Sequence, residues 1–290
     1  MTNIICLLIN ILILRRLFRV FRGFNLTLER NYKDKHADGL RSVKSASGVT
    51  RSIQSLLDSE GHIIAEKLIA EWFPQKKFDL FISHSHRDID KVTNFCGYLK
   101  NKFDLDCFVD SYVWEYCDDL LRKIDDKYCL NKGEKTYNYK KRNNTTAHVH
   151  SILSVALAKM MDQCECVFFI NTPHSVAPQN ISNSYSNESK TFSPWIYFEI
   201  SMLDMIQIRN PYPRENLVFE SRQDSVKAGM VFDSATIKYA IDFNKMTSLN
   251  DQNISTWYQQ KDNPENSCKN SLDILYDLFP KKEEEFKILK

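Results

Sequence analysis

The sequence predicts an α/β fold with a central parallel sheet flanked by helices, and the 290 residues suit one generous domain or one domain with an appendage. After Lys77, short apolar runs alternate with amphipathic segments of about a dozen residues, which is typical of repeated βα units. The run CVFFIN is continuous and apolar, as expected of a strand covered on both faces. A hydrophobic content of 43% and an aromatic content of 12% suffice for a packed core and exclude a mainly disordered chain.

The chain begins with an apolar run at residues 4–14, interrupted only by Asn10 and followed by several arginines. A helix over this run, at about 1.5 Å per residue, is too short for the ~30 Å hydrocarbon core of a bilayer, and the run lacks the features of a secretory signal. We therefore expect residues 1–24 to form a helical N-terminal extension. Docking or self-association is one role for it and membrane contact through residues 4–24 is another. A misassigned start codon would also account for the run.

Residues 25–76 are predicted to form a linker and a further helical extension. The linker comprises residues 25–50, which are polar, basic and without a clear period. Apolar residues then recur at helical spacing from Val49 to Trp72, and Pro74 ends that pattern because proline is incompatible with a helix interior.

The predicted domain occupies residues 77–280, and residues 281–290 form a charged tail. Its first three strands are predicted at Phe78–Ser83, Leu105–Asp110 and Cys166–Asn171. Amphipathic helices are predicted at Asp88–Lys102, Asp118–Leu130 and His148–Gln163, with a polar, basic loop at residues 131–146 before the last of them.

The second half of the domain carries one strong helix signal. Residues 179–193 are rich in Ser and Asn and predict a loop, at whose end Ser193-Pro194 combines a hydroxyl N-cap with proline at the first helical position. The helix is expected to continue to about Arg209. Later elements are predicted as strands at Asn216–Phe219 and Ile237–Phe243 and a closing helix at Ser271–Phe279.

Charge and cysteine content exclude several classes of protein. A net charge of +2 makes the whole chain a poor generic nucleic-acid binder. The eight cysteines include no CxxC pair, which argues against a zinc ribbon and for a reduced, cytoplasmic compartment. No GxGxxG follows a predicted strand, so a hydride-transferring Rossmann enzyme is disfavoured.

Polar residues follow each of the three predicted strands, which predicts a shared cleft. Ligands of open α/β sheets bind beyond the carboxyl ends of the strands, where the loops converge. Two aromatic residues, Tyr112 and Trp114, lie just past the second strand, although ordinary loop polarity would produce a similar pattern. The polar pairs are Ser83 and His84, Asp110 and Ser111, and Asn171 and Thr172.

Glu199 is the leading candidate for a functional acid. It follows Trp195 by four residues, so that both lie on one face of the predicted helix, which is otherwise largely apolar. A carboxylate in a dry setting is costly and therefore marks a candidate site. The alternative is that Glu199 lies on the solvated face of this helix.

Four segments, FDLFISHSHRDID, LDCFVDSYVWEYCDDLL, ECVFFINT and SPWIYFEI, occur in that order and resemble the Toll/interleukin-1 receptor (TIR) domain, particularly its bacterial branch. The resemblance is good over residues 77–209 and loose from there to residue 280. The strand motif is FISHSHRD, and the W-x-x-x-E spacing falls at Trp195 and Glu199. Two departures are Ile196, where the family commonly has Cys, and the long loop at residues 131–146.

The resemblance implies a flavodoxin-like TIR domain that cleaves the nicotinamide–ribose bond of NAD+, giving ADP-ribose or a cyclic isomer in antiviral or immune-type signalling. It implies NAD+ as substrate, no separate cofactor, and a homo-oligomer held by TIR–TIR contacts. Glu199 takes the catalytic role, because a fixed carboxylate stabilises the positive charge left on the ribose. The implied substrate-contacting residues are Ser83, His84, Ser85, Asp88, Asp110, Tyr112, Trp114, Asn171 and Trp195.

The sequence is also compatible with two other functions. A non-catalytic TIR adaptor would bind other TIR domains through the loop Ser111–Asp118, although scaffold TIR domains generally lack the glutamate after the tryptophan. A nucleoside deoxyribosyltransferase would use a similar sheet and a glutamate on another glycosidic bond.

Two HxH pairs, at residues 84–86 and 148–150, could supply metal ligands. Residues two apart on a helix do not share a face, so no metal site is predicted from them. His148 or His150 could instead serve the cleft or be solvated. The basic loop at residues 131–146 could attract phosphates or simply be solvated.

Overall fold

The structure is a computed structural model that describes residues 22–32, 57–73, 76–133, 135–177, 189–206 and 237–280. Its strands are β1 Arg22–Thr27, β2 Leu80–Ser83, β3 Cys107–Val109, β4 Cys166–Ile170, β5 Ser189–Thr191, β6 Tyr239–Ile241 and β7 Met246–Asn250. Its α-helices are α1 Ala65–Trp72, α2 Ile89–Phe103, α3 Ser111–Tyr128, α4 Tyr139–Gln163, α5 Pro194–Met205, α6 Asp251–Asp262 and α7 Ser271–Leu278. Short 3₁₀ turns lie at His86–Asp88 and Pro264–Asn266.

Five parallel strands form the central sheet, in the order β3–β2–β4–β1–β7. A separate two-stranded antiparallel sheet pairs β5 with β6. The prediction of an α/β fold with a central parallel sheet flanked by helices is therefore confirmed. Its three predicted strands are present in shortened form as β2, β3 and β4.

The two faces of the sheet are buried by different helices, because successive side chains of a strand point to opposite faces. Phe24, Ile82 and Phe168 face a core formed with α2, α6 and α7. Phe81 and Phe108 face the opposite core, which is formed with α1, α3 and α4. Strand β4 is buried along its whole length, which explains why its sequence is a continuous apolar run.

Helix α5 packs on the same face as Phe81 and lies close to β1. Ile196 and Ile200 of this helix contact Phe169 of β4. Gly23 permits the approach, because a Cβ atom at that position would lie 3.3 Å from Leu203 Cδ1. This packing places the middle of α5 over the carboxyl-terminal half of the sheet.

The prediction for the N-terminal segment is wrong over the residues that the structure describes there. Residues 22–27, assigned above to the end of a helix and the start of a linker, form β1 between β4 and β7. Phe24 and Leu26 alternate with the polar Asn25 and Thr27, and this period of two is hidden among basic residues. The rest of the predicted helix over residues 1–24, and most of the predicted linker, lie outside the described residues.

Two helices begin earlier than predicted. Helix α3 begins at Ser111 rather than Asp118, so the segment expected to be an adaptor-binding loop is helical. Helix α4 begins at Tyr139, and its N-cap is Asn138, whose side chain accepts a hydrogen bond from Lys141 N. The helix therefore includes half of the predicted loop at residues 131–146. The polar residues of this first part of α4 left no apolar period to read in the sequence.

Other boundaries also shift. Helix α5 ends at Met205, short of the predicted Arg209, and β5 lies within the predicted loop at residues 179–193. Strand β7 and helix α6 were not predicted. The predicted strand Asn216–Phe219 and the tail at residues 281–290 lie outside the described residues. Among the described helices, none has the length and apolar character to cross a membrane.

Candidate functional site

The site begins at the carboxyl ends of β2 and β3, which are neighbours in the sheet. Ser83 is the last residue of β2, and Asp110 directly follows β3. Ser83 shares a face with Phe81, so its hydroxyl group points toward the helices of that face. Both Ser83 and Asp110 are buried.

Helix α5 brings Glu199 to the same place. Its start is defined by Pro194 at the first turn and by Ser193, whose hydroxyl accepts a hydrogen bond of 3.3 Å from Ile196 N. Glu199 is 1% exposed, and Ser83 Oγ donates a hydrogen bond of 2.6 Å to its Oε2 atom. The carboxyl group therefore faces the interior of the protein rather than solvent.

Glu199 and Asp110 are two acids that share one buried position. Burial, and then the negative charge of Asp110, raise the pKa of Glu199 well above its ordinary range, while the hydrogen bond from Ser83 opposes the shift. The Glu199 Oε1 atom is buried and receives no hydrogen bond from a described donor. Two carboxylates in this arrangement cannot both be ionised at modest cost.

His84 lies on the other side of Asp110. Its Nδ1 atom is 3.1 Å from Asp110 Oδ1, and its Nε2 atom is 2.8 Å from Ser111 Oγ. Burial lowers the pKa of His84, but the charge and hydrogen bond of Asp110 more than compensate and leave this pKa above its ordinary value. The histidine is therefore stabilised in its charged form by the neighbouring acid.

A second cluster, centred on Asp88, lies at the adjoining ends of β2 and β4. Thr172 Oγ1 donates a hydrogen bond of 2.6 Å to Asp88 Oδ2, and His174 Nδ1 is 2.9 Å from Asp88 Oδ1. Ser175 fixes the turn, because its hydroxyl accepts from Thr172 N and donates to Ile170 O. Both oxygens of this buried carboxylate are thus engaged.

The structure brings together four of the predicted site residues, namely Ser83, His84, Asp110 and Glu199, and places Asp88 in the adjoining cluster. Ser85 begins the 3₁₀ turn that leads to Asp88. Asn171 is half-buried and contributes its backbone N–H to Leu26 O at 2.8 Å.

The predicted aromatic residues are placed less directly. Trp195 is half-buried and packs edge-on against the ring of His150, with ring centroids 5.6 Å apart. This contact gives His150 of α4 a partner on α5 but does not by itself place it in the site. The side chains of Tyr112 and Trp114 lie outside the described part of the chain.

Sequence reasoning missed His174 and Ser175 as site residues. Their only signal is their position within a few residues of the end of an apolar strand, the same signal that identified Asn171 and Thr172. Across the described ranges, no group of three or more His, Cys, Asp or Glu side chains is arranged to hold a metal ion.

Comparison with known proteins adds no relative to this description. No protein-family model, no curated protein and no solved structure matches the chain.

Proposed function

We propose that this protein cleaves the N-glycosidic bond between nicotinamide and ribose in NAD+, with Glu199 as the catalytic carboxylate. The single observation that carries the proposal is a buried glutamate at the carboxyl edge of a parallel sheet, held by the hydroxyl group of Ser83. This edge is where α/β proteins commonly bind ligands. The products are ADP-ribose or a cyclic isomer of it.

The chemistry suits one anchored acid. Departure of nicotinamide leaves positive charge on the ribose, and an ionised Glu199 in a site of low dielectric constant stabilises that charge as it develops. The leaving pyridinium needs no proton, so a separate general acid is unnecessary. Ser83 fixes the orientation of the carboxylate, because its hydroxyl group bonds to Oε2.

The raised pKa of Glu199 is compatible with this role because NAD+ brings its own positive charge. An opposite charge within about 4–6 Å favours the ionised form of a carboxyl group. The pyridinium ring, bound beside Glu199, would therefore promote the ionisation that the reaction requires. A cationic glycoside is favoured over a neutral one for the same reason.

The resemblance to TIR domains supports the wider assignment. Strands β3, β2 and β4 lie in the order of the second, first and third strands of a flavodoxin-like sheet. The next position, which holds the fourth strand in such a sheet, is taken here by β1 from the N-terminal part of the chain, which is a departure from that order. A TIR-type enzyme in antiviral or immune-type signalling, active in the cytoplasm as a homo-oligomer, is the proposal that follows from the resemblance. Membrane contact remains part of it only for residues 4–21, because residues 22–24 are buried in β1.

Cleavage of a neutral nucleoside is the second candidate, and its support is the proton that the buried Glu199 retains in the absence of a cationic ligand. A purine or pyrimidine base leaves more easily when it is protonated, and a buried glutamic acid that retains its proton is suited to act as the general acid. This is the chemistry of a deoxyribosyltransferase-like enzyme. The two candidates predict opposite effects of pH, because NAD+ cleavage requires ionised Glu199 and nucleoside cleavage requires the protonated form.

The test is incubation of the purified full chain with NAD+ and, separately, with deoxynucleosides. Nicotinamide release without base release supports the proposal, and chromatography against ADP-ribose and cyclic standards identifies the product. Base release alone favours the nucleoside enzyme. Absence of both reactions contradicts the enzymatic proposal and favours a non-catalytic TIR adaptor.

Glu199→Gln tests the assigned residue. We expect a folded protein whose kcat is lower by about 10²–10³-fold or more, because the amide keeps the shape but not the charge. Glu199→Ala should lose at least as much activity. Glu66→Gln is the matched control, because Glu66 is exposed on α1 and should not affect turnover. Unchanged turnover in Glu199→Gln would show that another residue is catalytic.

A further inference from the structure

His84, Asp110 and Glu199 form a buried group of three titratable side chains, of which His84 is 3%, Asp110 4% and Glu199 1% exposed. Charges at such positions are tolerated only when they are paired. With all three ionised, the group would carry one uncompensated negative charge. One additional proton makes the group neutral.

The hydrogen bonds indicate that this proton lies between the two acids. Glu199 Oε2 accepts from Ser83, but the buried Oε1 atom has no described donor, and the acid that faces the Glu199 carboxyl group is Asp110. A proton on Glu199 allows its carboxyl group to donate to the Asp110 carboxylate. This turns a repulsive contact into a hydrogen bond of the strong, charge-assisted type.

The contacts of His84 indicate which acid keeps the proton. Nδ1 of the imidazole faces two acceptors, Asp110 Oδ1 and Ile82 O, and Nε2 lies near Ser111 Oγ, a hydroxyl that can donate or accept. A doubly protonated ring satisfies all these contacts, with Ser111 accepting from Nε2. The positive ring then holds Asp110 as the carboxylate, and the proton remains on Glu199.

The charge of Asp88 also favours a positively charged His84. Asp88, at the start of α2, adds negative charge that favours the charged form of His84. Asp88 is itself bound by Thr172 and by His174 from the loop after β4.

We propose that His84 is a positioning residue, which acts through Asp110 to keep one proton on Glu199 until a cationic ligand displaces it. The displacement step rests on the proposed function. When the pyridinium of NAD+ binds, the Glu199 carboxyl group releases its proton to solvent and becomes the carboxylate. The positive charge of the ligand replaces that of the proton, so the site remains neutral.

Infrared difference spectroscopy of the ligand-free protein tests the inference without turnover. At neutral pH the wild type should show the C=O stretch of a protonated carboxyl group, and Glu199→Gln should lose it. Asp125→Asn is the control, because Asp125 is a buried acid in α3 that is paired with Arg142. The band should persist in this control.

His84→Gln tests the positioning role. Without the positive ring, both acids must be protonated to keep the buried pair neutral, so we expect the protonated-carboxyl band to increase about twofold. An unchanged band would contradict a role for His84, as would the absence of the band from wild type. If His84→Gln does not fold, nitrogen NMR of the wild type decides, because the proposal requires hydrogens on both ring nitrogens of His84. Because none of these measurements involves NAD+, loss of the proposed activity would leave the result intact.

Discussion

Ser83 and Glu199 are 116 residues apart, yet they share a hydrogen bond of 2.6 Å inside the protein. The hydroxyl group of Ser83 reaches Glu199 because the side chains of Ser83 and Phe81 lie on the same face of the sheet, the face on which α5 packs. The face of Glu199 was ambiguous in the sequence, since an acid on a largely apolar helix can lie inward or outward. Packing of Ile196 and Ile200 on the sheet resolves this ambiguity and turns Glu199 inward.

Asp88 carries the next prediction at the residue scale. Asp88→Asn replaces one acceptor oxygen by an amide that cannot accept from both Thr172 and His174. We expect the free energy of unfolding to fall by about 1–3 kcal/mol, because a buried hydrogen bond to a charged group is lost. Urea denaturation measures the change.

Asp90→Asn is the matched control, because Asp90 is exposed in the first turn of α2 and should change stability by only a few tenths of a kcal/mol. If Asp88→Asn lowers the free energy of unfolding by as little as Asp90→Asn does, the hydrogen bonds of the Asp88 cluster add nothing to stability.

Elements that are buried on both faces were the easiest to predict. Strands β2 and β4 consist almost entirely of apolar residues, and their sequences could be recognised without any tertiary information. Strands β1 and β7 have polar residues at alternate or neighbouring positions, and β7 has only Met246 and Leu249 to mark it. Their place in the sheet follows from pairing with distant strands, which a local period does not report.

Strand β1 supplies the prediction at the element scale. Leu26 is fully buried, and its neighbours across the sheet are Ile170 of β4 and Leu249 of β7. Leu26→Ala should lower the free energy of unfolding by about 2–5 kcal/mol, because it leaves a cavity between two strands. Thr27→Ala, at the exposed neighbouring position, is the control for urea denaturation. A small effect at Leu26 would show that β1 is not part of the core.

At the scale of the molecule, the site combines segments that are distant in sequence. The ends of β2 and β3, the loop after β4 and the middle of α5 each contribute polar side chains. Their approximate convergence could be predicted, because the carboxyl ends of parallel strands meet at one edge. The division into a Glu199 group and an Asp88 group could not, because it depends on which face of the sheet each side chain joins.

The dependence of stability on pH is a property of the whole molecule that reports this buried chemistry. The pKa values of Glu199 and His84 are raised in the folded state, so the folded protein keeps protons that the unfolded chain loses above the ordinary values of 4.5 and 6.5. The stability that these groups confer is therefore largest at low pH and is lost as pH rises through their folded pKa values. For each proton that the folded state retains, the free energy of unfolding falls by about 1.4 kcal/mol for every unit by which the pH rises.

Glu199→Gln isolates the glutamate in this dependence. Between about pH 5 and 8 its free energy of unfolding should fall less steeply with pH than that of the wild type, because the amide has no proton to retain. Asp251 has the opposite effect on the pH dependence. Burial raises the pKa of its carboxyl group, but hydrogen bonds from Tyr32 and from the backbone outweigh burial and lower that pKa. The stabilisation from Asp251 is therefore lost only in more acidic solution. That contribution is common to both proteins and cancels in the difference. Urea denaturation of the two proteins across this range gives the slope of the free energy of unfolding against pH for each. Equal slopes would contradict the prediction, because they would mean that Glu199 is ionised in the folded protein.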